Sequence, residues 1–336
     1  MVSIPVKYRP QSFDEVTEQS SIITILKNQI LNNCINNALM FCGESGSGKT
    51  TCARIFAKEL GAQAIEIDAA SNNGVDNIRN IKAEASERSL SNEYKCYIID
   101  ESHMMTTSAF NALLKTLEEP PAHTIFILCT TDPQKIPQTI LNRVQRFNFR
   151  KISSKGIYDR LLYVCQQEGF KFEEDALDYL SKIANGSMRE ALSLLGQIAD
   201  YSKGSIDMES IRSTLGSYSY ENFFGLTNAI LDGNEKLVIN YYKDYEDSGS
   251  DLRLFVNQYF SFILDIIKYS LFKDVSVINI PNIYIKDLDN LINFDSPEKY
   301  YNYVLDRLMN LRQMIKNDSY INSTILAVLL QIARCQ

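Results

Sequence analysis

The stretch Gly43-Glu44-Ser45-Gly46-Ser47-Gly48-Lys49-Thr50 decides how this chain folds. It fits G-x-x-x-x-G-K-[ST], a loop whose glycines let several backbone N–H groups turn inward on one polyphosphate. Lys49 adds a point charge and Thr50 a hydroxyl for Mg²⁺, so Gly43, Ser45, Gly46, Ser47, Gly48, Lys49, Thr50 and Thr51 are the nucleotide-binding candidates. The flanks agree. Residues 38–42, Ala-Leu-Met-Phe-Cys, predict a short buried strand, and residues 51–60 predict a helix whose positive N-terminal end faces the phosphates. A glycine-rich turn is the competing reading, and it leaves both flanks unexplained.

Downstream, residues 64–68 alternate as a strand and run into the turn Ala69-Ala70-Ser71-Asn72-Asn73-Gly74. Residues 75–86 predict a helix with Arg79 and Lys82 on its polar side. Residues 97–101 predict a buried strand ending in the carboxylates Asp100 and Glu101. A helix over 106–119, stopped by Pro120-Pro121, leads to another buried strand over 124–129 that ends at Thr130-Thr131. Upstream, Ser20 or Ser21 caps a helix through Ile22, Ile23, Leu26, Ile30 and Leu31. Ile-rich strands alternating with helices, with polar residues at their C-terminal ends, specify an open parallel α/β sheet with its site along one edge. The last strand is expected over 145–152, and every later segment predicts helix.

At 336 residues the chain exceeds what one core usually serves, so two or three domains are expected. The hydrophobic fraction of 45% argues against a disordered chain, and no run of about 18 apolar residues is present to span a membrane. Residues 1–5, Met-Val-Ser-Ile-Pro, lack the basic and apolar blocks of a signal peptide, so a cytoplasmic location is expected. Seven cysteines contain no C-x-x-C pair, which disfavours zinc; Cys42, Cys52, Cys96 and Cys129 lie in apolar segments and are expected in the core. Net charge is −7, with Lys plus Arg against Asp plus Glu standing at 15 to 16 over residues 1–150 and 19 to 25 beyond. Global charge therefore gives no hold on nucleic acid, which leaves only local basic or N–H-rich patches for that purpose.

Hydrolysis of a nucleoside triphosphate needs Mg²⁺ bridging the outer phosphates, a held water, and charge stabilisation as the terminal phosphoryl group leaves. Asp100 can hold Mg²⁺ or its waters beside Thr50, while Glu101, one residue on, points elsewhere and can orient the attacking water. A carboxylate pair that simply caps a helix is the alternative. Thr131 is either a contact to the γ-phosphate or the water, or a turn residue. Arg143 is either half of a surface ion pair or a group offered to a neighbouring subunit's phosphates. For Arg189, which opens a helix after Gly186-Ser187, the choice lies between a surface ion pair and a reach back to the phosphates.

Longer motifs narrow these choices. The runs Glu66-Ile67-Asp68-Ala69-Ala70-Ser71, Ile98-Ile99-Asp100-Glu101-Ser102-His103-Met104 and Phe110-Asn111-Ala112-Leu113-Leu114-Lys115-Thr116-Leu117-Glu118-Glu119-Pro120-Pro121 come first. Thr130-Thr131-Asp132-Pro133-Gln134-Lys135-Ile136-Pro137 and Gly186-Ser187-Met188-Arg189-Glu190-Ala191-Leu192-Ser193-Leu194 follow. Together they resemble the bacterial clamp-loader ATPases of the AAA+ superfamily, the gamma/tau type of DNA polymerase III, densely over residues 4–215 and more thinly beyond. The resemblance implies an AAA+ P-loop α/β domain with a parallel sheet over residues 1–153, a small helical lid over 154–215 and an all-α collar over 216–336. It implies catalytic roles for Lys49, Asp100 and Glu101, with Thr50 and Asp100 on the metal. Thr131 falls at sensor one, Arg189 at sensor two within the same chain, and Arg143 at the arginine finger that completes a neighbour's site. Val6, Tyr8, Arg9 and Val16 fall in the segment that cradles adenine. The helices starting near Asn73 and Thr107 match elements that track a template strand, so Asn73, Arg79 and Thr107 are candidate DNA contacts or else parts of a solvated face. ATP and Mg²⁺ are the implied cofactors. Implied partners are sister copies and other clamp-loader subunits in a pentameric ring, a sliding clamp, and primer-template DNA.

Three departures qualify the resemblance. Family members usually carry a four-cysteine zinc module between the P-loop helix and the Glu-Ile-Asp strand, where this chain has only Gly61-Ala62-Gln63-Ala64, so no zinc is expected. The family's Ser-Arg-Cys triplet reads Asn142-Arg143-Val144. The family's longer C-terminal extension has no counterpart, so the shorter form is expected. The rival readings are another AAA+ DNA motor, such as a branch-migration helicase or a helicase loader, and an ATP-binding scaffold without turnover. The presence of Lys49, Asp100, Glu101, Arg143 and Arg189 together argues against the scaffold.

Overall fold

Strands β1 (Ala38–Cys42), β2 (Gln63–Asp68), β3 (Lys95–Asp100), β4 (Thr124–Thr130) and β5 (Gln145–Asn148) form one sheet in the order β2-β3-β4-β1-β5. Each pairing in it is parallel, so the C-terminal ends of all five lie along one edge. The computed structural model describes residues 3–87, 93–215, 220–247, 251–316, 318 and 320–334. Cys335 and the expected lid–collar boundary at residue 216 lie outside these described residues.

Position in the sheet explains the composition of each strand. β1 and β4 are buried at every residue and β3 at all but its last, as a parallel sheet covered on both faces requires. β2 holds one edge and alternates instead, turning Ile65 and Ile67 inward. Helices α1 (Ile4–Lys7), α2 (Ser20–Leu31), α3 (Lys49–Glu59), α4 (Val75–Ser86), α5 (Thr107–Glu118) and α6 (Gln138–Leu141) interleave with the strands. Successive strand side chains point to opposite faces, which sorts the core into two layers. Met40, Tyr97, Ile99, Phe126 and Leu128 pack with Ile78 of α4 and Phe110, Leu113 and Leu117 of α5. Leu39, Phe41, Ile98, Ile125 and Ile127 pack with Leu26 of α2 and Cys52, Ala53 and Phe56 of α3. Each fully buried Leu or Phe contributes roughly 1.5–3 kcal/mol, so the three on α5 fix that helix far more firmly than its Thr106 cap, which adds about 1 kcal/mol.

Several local details differ from the sequence expectation. Helix α2 is entered through Gln19, not capped by Ser20 or Ser21; Gln19 adopts a left-handed backbone (φ 58°) and sends its side chain to the backbone of Arg150. β5 stops at Asn148 instead of 152, because the Arg150 carbonyl and N–H bond to Gln19 rather than to a strand. Lys82 does not lie on a solvated face: its ammonium donates to the Ala112 carbonyl and ties α4 to α5.

By contacts the chain divides into two units, residues 1–164 with 184–196, and residues 165–183 with 197–336. The later elements are α7 (Ser154–Glu168), β6 (Lys171–Phe172), α8 (Glu174–Ile183), α9 (Met188–Ser202), β7 (Ser205–Ile206) and α10 (Met208–Leu215). Then follow α11 (Tyr220–Leu231), α12 (Glu235–Asp247), α13 (Leu252–Phe272), α14 (Ile285–Leu291), α15 (Pro297–Met314) and α16 (Ile321–Arg334). The expectation of helix throughout this region misses β6 and β7, which pair in parallel over two residues each, too short to leave a periodic signal. The second unit's helices close over an aromatic cluster: Phe255 meets Tyr245 at 4.5 Å and stacks on Tyr259, and Phe262 meets Phe224 at 4.9 Å. Among the described residues, no helix is long and apolar enough to cross a membrane.

Candidate nucleotide-binding site

The loop between β1 and α3 has a backbone that only glycine tolerates at two points. A Cβ on Gly43 would stand 2.5 Å from the Phe149 carbonyl oxygen, and one on Gly46 (φ 74°) would stand 2.0 Å from Ser187 Oγ. Gly48, also left-handed, then feeds the chain into α3. Lys49, the first residue of that helix, is 6% exposed. Its Nζ donates to the carbonyls of Gly43 and Glu44, each at 2.8 Å, so the ammonium is folded onto the loop itself. Burial pulls its pKa below the ordinary lysine value, against the opposing pull of the nearby Glu101 and Asp100 carboxylates. The Ser47 hydroxyl donates to the Glu44 carbonyl and tightens the same loop.

Two carboxylates at the end of β3 diverge. Asp100 accepts from the Thr50 hydroxyl at 2.9 Å through Oδ2 and from the Glu101 N–H at 3.0 Å through Oδ1. Glu101 takes a left-handed backbone (φ 46°), and its Oε2 accepts from the Thr131 hydroxyl at 3.1 Å. Because β3 and β4 are parallel neighbours, Thr131, one residue past β4, is delivered to the same edge. The arrangement gives one carboxylate to the P-loop threonine and the other to the end of the next strand. Cys42, Cys52, Cys96 and Cys129 are buried in the core, and burial pushes Cys52 and Cys96 up to about 12, leaving neutral thiols there.

A cleft at this edge gathers Tyr8, Arg9, Val16, Ser45, Gly46, Ser47, Gly48, Lys49, Thr50, Thr51, Asp100, Glu101 and Arg189, all candidates from the sequence. Arg189 arrives because α9 starts on the loop: Met188 N–H donates to the Gly46 carbonyl at 3.2 Å. The cleft also takes Pro5, Pro10, Thr17, Ile152, Arg160, Met188 and Leu192, which carried no sequence signal as site residues. Of these Arg160 is the most informative. It donates to the Tyr8 carbonyl at 2.8 Å and stands 5.2 Å from the Tyr163 ring centroid, while Tyr163 meets Tyr8 edge-on at 6.3 Å. Arg160 is therefore the link that holds the Tyr8–Arg9 backbone at the cleft.

Other candidates lie elsewhere. Val6 is 51% exposed and Pro5 lines the cleft in its place, since the helical turn Ile4–Lys7 puts them on different sides. Arg143 is paired with Glu118, Nε to Oε1 at 2.7 Å, and also donates to the Thr139 carbonyl, outside the cleft lining. Arg79 pairs with Asp76 on an exposed face of α4. The Asn73 carbonyl accepts from both the N–H and the hydroxyl of Thr106, so the N-terminal ends of α4 and α5, with Thr107 beside the latter, are joined. Between α3 and β2, Ala62 N–H bonds Ala57 O and Gln63 N–H bonds Tyr94 O, a direct passage where the family's zinc module would be inserted.

The donor set fits a magnesium–nucleotide. A buried ammonium, a run of loop N–H groups at a helix N-terminus, and a hydroxyl already hydrogen-bonded to a carboxylate are the hard-oxygen and polyphosphate ligands that such a group requires.

Comparison with known proteins shows the family. Residues 65–153 match the family described as DNA polymerase III, delta subunit, and residues 156–204 match DNA polymerase III clamp loader subunit, ATPase lid domain. The chain is 37% identical over 286 residues to DNA polymerase III subunit tau of Bacillus subtilis, covering 78% of this chain and 51% of that protein. It is 33% identical over 324 residues to subunit gamma/tau of Mycoplasma genitalium, covering 89% and 53%. With subunit gamma of Buchnera aphidicola (subsp. Schizaphis graminum) it shares 37% over 254 residues, covering 68% and 70%. The chain thus spans about half the length of the first two relatives. Among solved structures, the RuvB Holliday junction branch migration motor of Thermotoga maritima aligns with a TM-score of 0.54 over 67% of this chain and 80% of that one. At 18% identity that likeness shows the fold alone, an AAA+ ATPase-type fold. Identity of a third or more to gamma and tau subunits, together with the lid-domain match, places this chain in the gamma/tau family of DNA polymerase III clamp-loader subunits.

Proposed function

We propose that the chain hydrolyses ATP as one subunit of a ring, pentameric in its complete form, that opens a sliding clamp and loads it on primed DNA. The observation that carries this reading is the pair of contacts Thr50–Asp100 and Thr131–Glu101, whose carboxylates lie near Lys49. In this mechanism Lys49 exchanges the Gly43 and Glu44 carbonyls for phosphate oxygens. Thr50 and Asp100 would hold Mg²⁺, which would supply charge neutralisation at the outer phosphates. Glu101 orients the attacking water and accepts its proton, with Thr131 fixing that carboxylate. Arg189 answers the γ-phosphate from its own chain, and Arg143 leaves Glu118 to serve a neighbour's site. Arg160, through Tyr8, keeps the adenine-side backbone in place.

The joined N-terminal ends of α4 and α5 offer backbone N–H groups and the side chains of Asn73, Arg79 and Thr107 to a phosphate backbone, which suits positioning rather than base reading. Steady-state ATP hydrolysis with no DNA, single-stranded DNA or a primed template, in the presence of the other loader subunits and the clamp, tests the whole reading. Highest turnover on primed template is expected. Turnover indifferent to the primer junction would point instead to another AAA+ DNA motor.

A further inference from the structure

His103 is held rigidly beside Glu101 and has no part in the chemistry described so far. The single turn Ser102–Met104 that carries it is pinned on both sides: Ser102 Oγ, fully buried, donates to the Cys129 carbonyl on β4 at 3.0 Å, and Met104 N–H donates to the Glu101 carbonyl at 2.8 Å. The imidazole is mostly enclosed, 12% exposed. Its Nδ1 stands 3.3 Å from Glu101 Oε2 and 3.2 Å from Thr130 Oγ1. Thr130 Oγ1 in turn accepts from the Asp132 N–H at 3.0 Å. The same Glu101 oxygen accepts from Thr131. One ring nitrogen therefore lies between the Glu101 carboxylate and the Thr130 hydroxyl, while Thr131 holds the same carboxylate oxygen.

Proton accounting restricts what the ring can be. An ionised carboxylate only accepts, so a hydrogen bond from this ring to Glu101 Oε2 requires hydrogen on Nδ1; a bare Nδ1 would set a lone pair against Oε2. The Thr130 oxygen already accepts from Asp132 and can accept again from Nδ1–H. If the proton sits on Nε2 instead, Thr130 donates its hydroxyl hydrogen to Nδ1 and the hold on Glu101 is lost. We propose that His103 is a positioning residue for ATP hydrolysis: as the Nδ1–H tautomer it fixes the Glu101 carboxylate and makes its location follow the end of β4. This rests on the reading of Glu101 as the group that orients water. A third group that orients a base is a recurrent requirement of such sites, and here the second orienting contact comes with Thr131.

The chain contains only two histidines, His103 and His123, so ¹⁵N-histidine labelling yields two ring spectra, assigned by the loss of one in His123→Gln. The tautomer of each ring is read from the chemical shifts of its two nitrogens. His103 is expected as Nδ1–H in the wild-type chain and as predominantly Nε2–H in Glu101→Ala, with His123 unmoved. An Nε2–H ring in the wild type, or a ring indifferent to Glu101→Ala, overturns the proposal. In the assembled loader, His103→Leu is expected to lower kcat about tenfold, the equivalent of one lost hydrogen bond, with KM for ATP changed less than about twofold. His103→Asn, whose amide places a donor near the position of Nδ1, is expected to recover most of that loss. Equal loss in both variants, or loss confined to KM, would assign His103 a packing role only. Absence of turnover in the wild-type assembly would refute the ATPase reading itself, while the tautomer spectra still decide the role of His103.

Discussion

Gly46→Ala is the substitution whose outcome the geometry constrains most tightly. The added Cβ would stand 2.0 Å from Ser187 Oγ, 3.0 Å from Ser187 Cβ and 3.2 Å from Ser187 Cα, at a backbone φ of 74°. The left-handed backbone costs a β-carbon roughly 1–2 kcal/mol whether or not nucleotide is bound. The overlap is a separate cost of about 1–3 kcal/mol, relieved only if the start of α9 backs away. That movement breaks the Met188 N–H to Gly46 carbonyl bond and withdraws Arg189 from the cleft. The overlap therefore appears as weaker binding of a non-hydrolysed ATP analogue, by about 5- to 150-fold. Ser187→Gly deletes both the Oγ and the Cβ in conflict, at the cost of the Ser187 Oγ contact to the Glu190 N–H, worth only a few tenths of a kcal/mol (~0.3) when Gly replaces a capping Ser. The double variant should then bind at least about fivefold more tightly than Gly46→Ala alone, a coupling of about 1 kcal/mol or more. Isothermal titration of the four proteins with the analogue measures it. A double variant no tighter than Gly46→Ala would refute the docking of α9 on the loop as the source of the effect.

Three further outcomes follow from the same site. Glu101→Gln should retain binding of the ATP analogue within about threefold and lose turnover by about 10²-fold or more, measured by single-turnover hydrolysis. Asp100→Asn keeps an acceptor for Thr50 or Glu101 N–H but removes the charge, so its thermal midpoint should stay near wild type while the Mg²⁺ concentration needed for half-maximal analogue binding rises about tenfold or more. Arg160→Ala removes the donor to the Tyr8 carbonyl, and loss of a charged hydrogen bond worth about 1.5 kcal/mol predicts roughly tenfold weaker ATP binding with kcat for bound ATP little changed.

The sheet and the core of the site were legible because their signals are local. β1 was foreseen to the residue from five apolar positions before the loop, and α4 from its helical spacing. Asp100 and Glu101 could be located because a buried strand ending in carboxylates is unusual. Arg160, Thr17 and Leu192 could not, since each enters the cleft through packing between segments far apart in sequence. The same holds for Gln19, whose partner Arg150 lies more than a hundred residues away, and whose left-handed backbone no composition rule announces for a non-glycine residue. His103 carries no signal of a role in the sequence, because Thr130, its hydrogen-bond partner, reaches it only once β3 and β4 are side by side. Strands β6 and β7 escaped for a different reason: two residues are too few for alternation to be seen.

An ATPase site completed by a neighbouring subunit is open to test by subunit mixing. Arg143→Ala chains, which within their own fold lose the ion pair to Glu118 and the bond to the Thr139 carbonyl, are titrated into wild-type chains at fixed total concentration with the other loader subunits, the clamp and primed template. Each mutant subunit is expected to silence the adjacent site while binding ATP normally in its own pocket, so turnover falls as mutant neighbours accumulate and analogue binding does not. Nucleotide affinity that falls with the mutant fraction while turnover per bound ATP stays constant would contradict it.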